Sequence, residues 1–247
     1  MLHGKCVMVT GASRGLGRAI AREAARCGAR VGINYLCHAD DARTLRDEIV
    51  AGGFPEPVLL PFDATRCEAI EQGMARFLEV CPRIDGWVNN AARNLPGLLP
   101  TLTEAEIRSQ LDSALAGPIL CCQAILPHFL AERSGAILNI GSVVTERSFR
   151  GQSVYAAAKG GVASFSRALA VEYARKQIRV NCLQPGPVET DMFGQTFGLL
   201  PADFIARLPQ GRLVDAACVA AMAVFLLSDQ AGSITGGVFN VDGGCAL

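Results

Sequence analysis

The chain has 247 residues, half of them hydrophobic and 19% charged, enough apolar material for a sizeable core and an argument against disorder. Its 23 basic and 23 acidic residues cancel, so composition points neither to nucleic acid or a membrane surface nor to a cationic partner. The length suits one large α/β domain or two small ones.

Short β-type runs alternate with longer helical stretches along the whole chain. Lys5 to Thr10 reads as an apolar strand, and Gly15 to Cys27 follows with Leu16, Ile20, Ala24 and Cys27 on one helical stripe. Arg30 to Tyr35 is a second strand, before a polar helix over Ala39 to Ala51. Val58 to Phe62 is a third, before a helix over Arg66 to Val80. Further strands are expected at Asp85 to Asn89, Ala136 to Ile140, Ile178 to Leu183 and Val238 to Val241. Helical segments fill 103–131, 154–176 and 215–228. This alternation predicts an α/β fold with a parallel sheet covered on both faces, in a single domain spanning 1–247. One irregular stretch, about 185–212, contains Pro185, Pro187, Pro201 and Pro209. A loop that long in a compact domain usually has a function, and this one follows a strand on the carboxyl edge, where open α/β sheets bind ligands.

The ten cysteines do not read as a disulfide framework. Cys6, Cys27, Cys182 and Cys218 lie in apolar stretches, and Cys121 adjoins Cys122. No C-x-x-C pair occurs, and His3, His38 and His128 offer no zinc spacing, so no metal is expected. Reduced thiols used as small hydrophobes suit a soluble, cytoplasmic protein. The apolar run Cys6 to Val9 is too short for a signal peptide. Ala216 to Leu227, taken as the longest apolar stretch, is too short to span a bilayer.

The first strand–helix junction reads Thr10-Gly11-Ala12-Ser13-Arg14-Gly15-Leu16-Gly17. Glycines let the backbone turn sharply and let a pyrophosphate approach the amides of a helix N-terminus. The next strand ends in Asn34, Tyr35 and Leu36, without the carboxylate that would bind an NAD ribose. With Arg14 in the turn to pair with a 2′-phosphate, this favours NADP(H).

Tyr155 and Lys159 are spaced i and i+4 at the start of a long helix, which turns both side chains into one cleft. A nearby ammonium should lower the phenol pKa and bring it toward useful acid–base behaviour. Ser142 ends the fifth strand on the same edge, where its hydroxyl can bond a substrate carbonyl.

With these motifs the chain resembles the short-chain dehydrogenases/reductases, in the branch that includes 3-oxoacyl-[acyl-carrier-protein] reductases. The resemblance covers the glycine turn, Asp63, Asn89-Asn90-Ala91, Ser142, Tyr155 and Lys159. It continues through Pro185-Gly186, Thr190-Asp191-Met192 and Asp242-Gly243-Gly244. It implies a Rossmann-type, doubly wound, seven-stranded sheet and a homotetramer joined through the fourth and fifth helices. It implies that Gly11, Ser13, Arg14, Gly15, Leu16 and Gly17 cradle the cofactor, with Asn34 and Tyr35 beside its ribose. Asp63 and Ala64 would meet the adenine, and Asn90 with Ala91 would lie along the cofactor. Val188 and Thr190 would meet the carboxamide, Pro185 and Gly186 would also border the cofactor, and Lys159 would also bind the nicotinamide ribose.

The implied activity is an NADPH-dependent reduction of a 3-oxoacyl group in fatty acid or polyketide biosynthesis. Met192, Phe193, Phe197, Leu199, Leu200 and Phe204 would form an apolar lid over the substrate. An acyl carrier protein would be the partner, meeting Arg133 and Lys176 near the cleft. The alternatives are a dehydrogenase of a sugar, steroid or small alcohol, and a low-activity scaffolding member of the fold. The last is motivated by Ala114, where the family often has an asparagine that holds a water feeding protons toward the lysine. Ser113 or a rearranged water is a candidate substitute.

Overall fold

The computed structural model describes residues 1–190, 193–194 and 203–247. Its strands are β1 Cys6–Val9, β2 Arg30–Tyr35, β3 Val58–Pro61, β4 Gly86–Asn89, β5 Gly135–Ile140, β6 Ile178–Pro185 and β7 Val238–Val241. They form one seven-stranded sheet in the order β3-β2-β1-β4-β5-β6-β7, every pair parallel. The helices are α1 Gly15–Arg26, α2 Ala39–Ala51, α3 Cys67–Leu78, α4 Glu104–Leu111, α5 Gly117–Glu132, α6 Ser153–Tyr173 and α7 Ala216–Leu227.

Strand side chains alternate between two apolar layers. Val7 and Val9 join a cluster with Ile20, Ala24, Leu45, Val219 and Val224, and so pack under α1, α2 and α7. Cys6 and Met8 face the opposite cluster with Ile70, Phe77, Cys122, Ile125 and Leu169, under α3, α5 and α6. β1 is therefore apolar on both faces, which is why it reads as a continuous hydrophobic run.

The long helical segment expected over 103–131 is interrupted. Thr103 opens α4 with a capping box, its side chain accepting from the Glu106 amide while Glu106 reaches back to Thr103. A π-turn over Asp112–Ala116 then separates α4 from α5. Taken together with the π-turn, the helical run Glu104–Glu132 is long and apolar enough to cross a membrane by length and composition, and is longer than Ala216–Leu227. Here that run buries Cys121, Cys122, Ile125 and Phe129 against the sheet.

One polar chain crosses the second layer. Asn89 on β4 and Asn139 on β5 are direct register partners. Asn89 accepts from the Trp87 indole at 2.8 Å and donates to Asn139 at 2.8 Å. Asn139 donates to the Ser166 hydroxyl on α6 at 2.8 Å, and that hydroxyl donates to the Val162 carbonyl at 2.7 Å.

Candidate functional site

Strand order reverses between β1 and β4, and the loops leaving these neighbours define the crevice where such sheets bind ligands. The glycine turn occupies it. Gly11 and Gly15 have φ of +61° and +55°, which disfavour any side chain. A Cβ on Gly17 would lie 2.3 Å from the Gly11 carbonyl oxygen and 2.4 Å from Asn90 Nδ2.

Thr10 and Asn90 stitch the two loops together. The Thr10 hydroxyl accepts from the amides of Asn90 and Ala91 at 2.9 and 3.0 Å. The Asn90 side chain donates to the carbonyls of Thr10 and Gly11 at 2.9 and 3.1 Å. The α1 N-terminus has no side-chain cap and no acid in its first turn, which leaves its amides facing the crevice.

Asn34, expected beside the ribose, has its side chain turned inward. Its side chain is 2% exposed, accepts from the Gly11 amide at 3.1 Å and donates to the Leu60 and Phe62 carbonyls at 3.2 and 2.9 Å. Both its amide hydrogens are spent, so it braces the turn from beneath. Tyr35 follows at the strand end, half-buried.

A cleft of about 420 Å³ at the mouth of the turn is lined by Ser13, Arg14, Gly15, Arg18, Asp41, Thr44, Glu189 and Thr190. It holds two guanidiniums, one of which the sequence reading missed. Arg18 is clamped, donating to the Asp41 carbonyl at 3.0 Å and to Glu48 at 2.7 Å. The i+4 spacing from Arg14 carried that signal. Across the opening, a Cβ on Gly15 would lie 3.4 Å from Thr190 Cγ2, so the first and sixth strand loops face each other.

Behind Thr190, Val188 is buried and bridges to Val214. Pro185 ends β6, and a side chain on Gly186 would strike Asp242 Cα at 2.7 Å. Leu16 packs on the α1-side core. Asp63 Oδ1 accepts from the Thr65 amide at 2.9 Å and the Thr65 hydroxyl at 2.7 Å, shaping the turn after β3. Ala64 sits beside the start of α5, its carbonyl 3.0 Å from a Cβ on Gly117.

The second half of the site stands at the ends of β5 and α6. Tyr155 and Lys159 lie one turn apart in α6, with Nζ 5.7 Å from the phenol centroid. The buried Lys159 ammonium donates to the carbonyl of Ile140, the last residue of β5, at 2.7 Å. Burial lowers its pKa to about 8, with Cys182 opposing the shift.

Burial also raises the Tyr155 pKa above the usual phenol value. The direction is opposite to the lowering expected from the lysine, and its cause is desolvation. Ser142 follows Gly141 at the strand end, and its Oγ accepts from the Val144 amide at 3.3 Å. That bond leaves the hydroxyl hydrogen to donate elsewhere.

Phe193 and Phe204 do meet, with centroids 6.3 Å apart, and Phe149 adds an edge contact to Phe204 at 5.4 Å. Met192, Phe197, Leu199 and Leu200 lie outside the described residues. Arg133 and Lys176 precede β5 and β6, whose first residues Gly135 and Ile178 are register partners. They lie at the amino edge of the sheet, a strand length of about 20 Å from this chain's own cleft, which corrects their placement near it.

Ala114 is fully buried in the π-turn. The Ser113 hydroxyl donates to the Ser109 carbonyl at 2.9 Å and accepts from the Arg93 amide at 3.0 Å. It is committed locally and does not replace the absent carboxamide.

Residues 11–246 match the family model described as Enoyl-(Acyl carrier protein) reductase. The 3-oxoacyl-[acyl-carrier-protein] reductase FabG of Chlamydia muridarum (strain MoPn / Nigg) is 38% identical over 249 residues, covering 100% of this chain and 99% of that one. The 3-oxoacyl-[acyl-carrier-protein] reductase of Homo sapiens is 38% identical, with 98% of each chain covered. The crystal structure of levodione reductase superposes with a TM-score of 0.94 at 29% identity, covering 100% of this chain and 99% of that one.

Proposed function

The chain belongs to the short-chain dehydrogenase/reductase family of oxidoreductases, and from that premise we propose that it reduces a 3-oxoacyl thioester, carrier- or coenzyme-bound, with NADPH. The observation that supports this reading is that buried Lys159, one turn from Tyr155, donates to the carbonyl of Ile140 at the end of β5, two residues before Ser142, on the same carboxyl edge as the glycine turn. The full-length likeness to 3-oxoacyl-[acyl-carrier-protein] reductases supports the substrate class.

The turn fits a nicotinamide dinucleotide. Its glycines leave no room for a side chain at Gly17, and the uncapped α1 N-terminus suits a pyrophosphate. When bound, that cofactor supplies the hydride. Arg14 and Arg18 are the cations for an adenosine 2′-phosphate, and no carboxylate stands at the end of β2 to favour NADH. Asp63 and Ala64 are assigned to the adenine side, Asn90 and Ala91 to the middle of the cofactor, and Val188 and Thr190 to its carboxamide. Lys159 is assigned to the nicotinamide ribose. A homotetramer remains part of the proposal.

In this reading the neutral Tyr155 phenol gives its proton to the substrate oxygen as the carbonyl becomes an alcohol. Ser142 donates a hydrogen bond to the same oxygen. The Lys159 ammonium then stabilises the phenolate left behind. The test is Tyr155→Phe, assayed with acetoacetyl-coenzyme A and NADPH. General acid catalysis contributes about 10²–10⁴-fold, so turnover should fall by that factor while the melting temperature holds. Turnover equal to wild type would remove Tyr155 from the chemistry.

A further inference from the structure

Three consecutive residues behind Ser142 are each tied to the last third of the chain. The Thr145 hydroxyl accepts from Gln184 Nε2 at 2.7 Å, and Glu146 accepts from Asn240 Nδ2 at 3.0 Å. Arg147 donates to the Cys245 carbonyl at 3.0 Å. Gln184 and Asn240 are register partners on β6 and β7, so the first two ties leave the sheet side by side.

The first tie differs from the others in starting from a buried side chain. Gln184 is 1% exposed, in a strand that is otherwise apolar apart from Arg179 and Asn181, and its amide reaches a half-buried Thr145 hydroxyl. Its Oε1 has no hydrogen-bond partner among the described residues. An apolar side chain would fill the same place without stranding a buried acceptor, so the retained amide points to a use for its hydrogens.

The direction of each bond follows from the inventory of donors. An NH₂ group only donates, so Thr145 Oγ receives it, and the single Thr145 hydrogen is left for another acceptor. That acceptor is the Ser142 carbonyl, at 3.0 Å, which also receives the Thr145 amide at 3.2 Å. The Ser142 peptide is thereby held twice from one side. Its hydroxyl oxygen is held by the Val144 amide from the same turn.

We propose that Gln184 and Thr145 are positioning residues for Ser142: the Gln184 amide sets the Thr145 hydroxyl, which fixes the Ser142 peptide and aims the serine hydrogen into the cleft. This rests on the reading of Ser142 as the group that holds the substrate oxygen.

Four variants test it, assayed with acetoacetyl-coenzyme A and NADPH, with amide hydrogen exchange of residues 143–147 and the melting temperature followed in parallel. Thr145→Val removes the hydroxyl at constant shape. Misplacement of a reacting group by about 1 Å costs up to about 10²-fold, so kcat should fall between about 10- and 100-fold while KM for NADPH is unchanged. Exchange in the turn should quicken. Thr145→Ser restores both.

Gln184→Glu places an acceptor where a donor stood. It turns the Thr145 hydrogen away from Ser142 and should lower kcat as Thr145→Val does. Ser142→Ala is the control. If Ser142→Ala loses activity while Thr145→Val keeps wild-type kcat and exchange, the brace is overturned and the role of Ser142 stands. If Ser142→Ala turns over like wild type, or wild type itself does not reduce the thioester, the reading of Ser142 falls. The exchange data then decide the brace alone: unchanged exchange in Thr145→Val and Gln184→Glu overturns it.

Discussion

Lys159→Met isolates what the fold sacrifices for its site. Lys159 is 2% exposed, and burial lowers its pKa from 10.5 to about 8. Between those values the unfolded chain holds the proton and the folded chain does not, so stability rises with pH across that window. At about 1.4 kcal/mol per pKa unit, the buried charge costs about 3 kcal/mol at pH 7, and most of that is recovered by pH 10.

The variant carries no such group. Its advantage over wild type should therefore shrink by about 2–3 kcal/mol from pH 7 to pH 10. Loss of the hydrogen bond to the Ile140 carbonyl lowers the variant at every pH alike and leaves this difference untouched. The raised Tyr155 pKa acts in both proteins and cancels to first order. Urea unfolding of both proteins at pH 7, 8, 9 and 10 reads the effect. A stability difference that stays constant with pH, or that grows in favour of the variant, would refute the assignment of a desolvated ammonium.

Three further outcomes are expected. Gly17→Ala forces a Cβ to within 2.3 Å of the Gly11 oxygen, so it should cost about 1–3 kcal/mol and weaken NADPH binding, as thermal melts and nucleotide fluorescence titrations would show. Arg14→Ala should cut the kcat/KM preference for NADPH over NADH by about 10- to 100-fold, the equivalent of about 1.5–3 kcal/mol for a charge-assisted hydrogen bond, and an unchanged ratio would remove Arg14 from the 2′-phosphate. Because Ser113 is committed elsewhere, Ala114→Asn should raise turnover and reduce the solvent isotope effect, while crowding the π-turn by about 1–3 kcal/mol; an unchanged isotope effect means protons reach Lys159 by another route.

The alternation of strands and helices was legible because the strands are short, mostly apolar runs set between longer helical segments. The glycine turn and the Tyr155–Lys159 spacing were legible because they are local. What escaped was set by contacts across the sheet. Asn34 stands where a ribose ligand is expected, but nothing near it in sequence shows that Leu60 and Phe62 will consume its amide. Thr145 and Gln184 are 39 residues apart and meet only through the register of β5 and β6. The π-turn was hidden because Asp112 to Ala116 keeps helical composition on both sides. Arg133 and Lys176 were misplaced for a simpler reason: a residue just before a parallel strand stands at the edge opposite one just after it.

The Asn89–Asn139–Ser166 chain gives the fold a way to check its own assembly. Side chains in a strand alternate faces, so sliding β5 by one residue against β4 would turn Asn139 into the opposite apolar layer, strand its buried carboxamide and break its bonds to Asn89 and Ser166. Only the native alignment closes the chain. Asn139 lies three residues before Ser142, so the same alignment that silences these polar groups also sets where the strand ends and the serine begins.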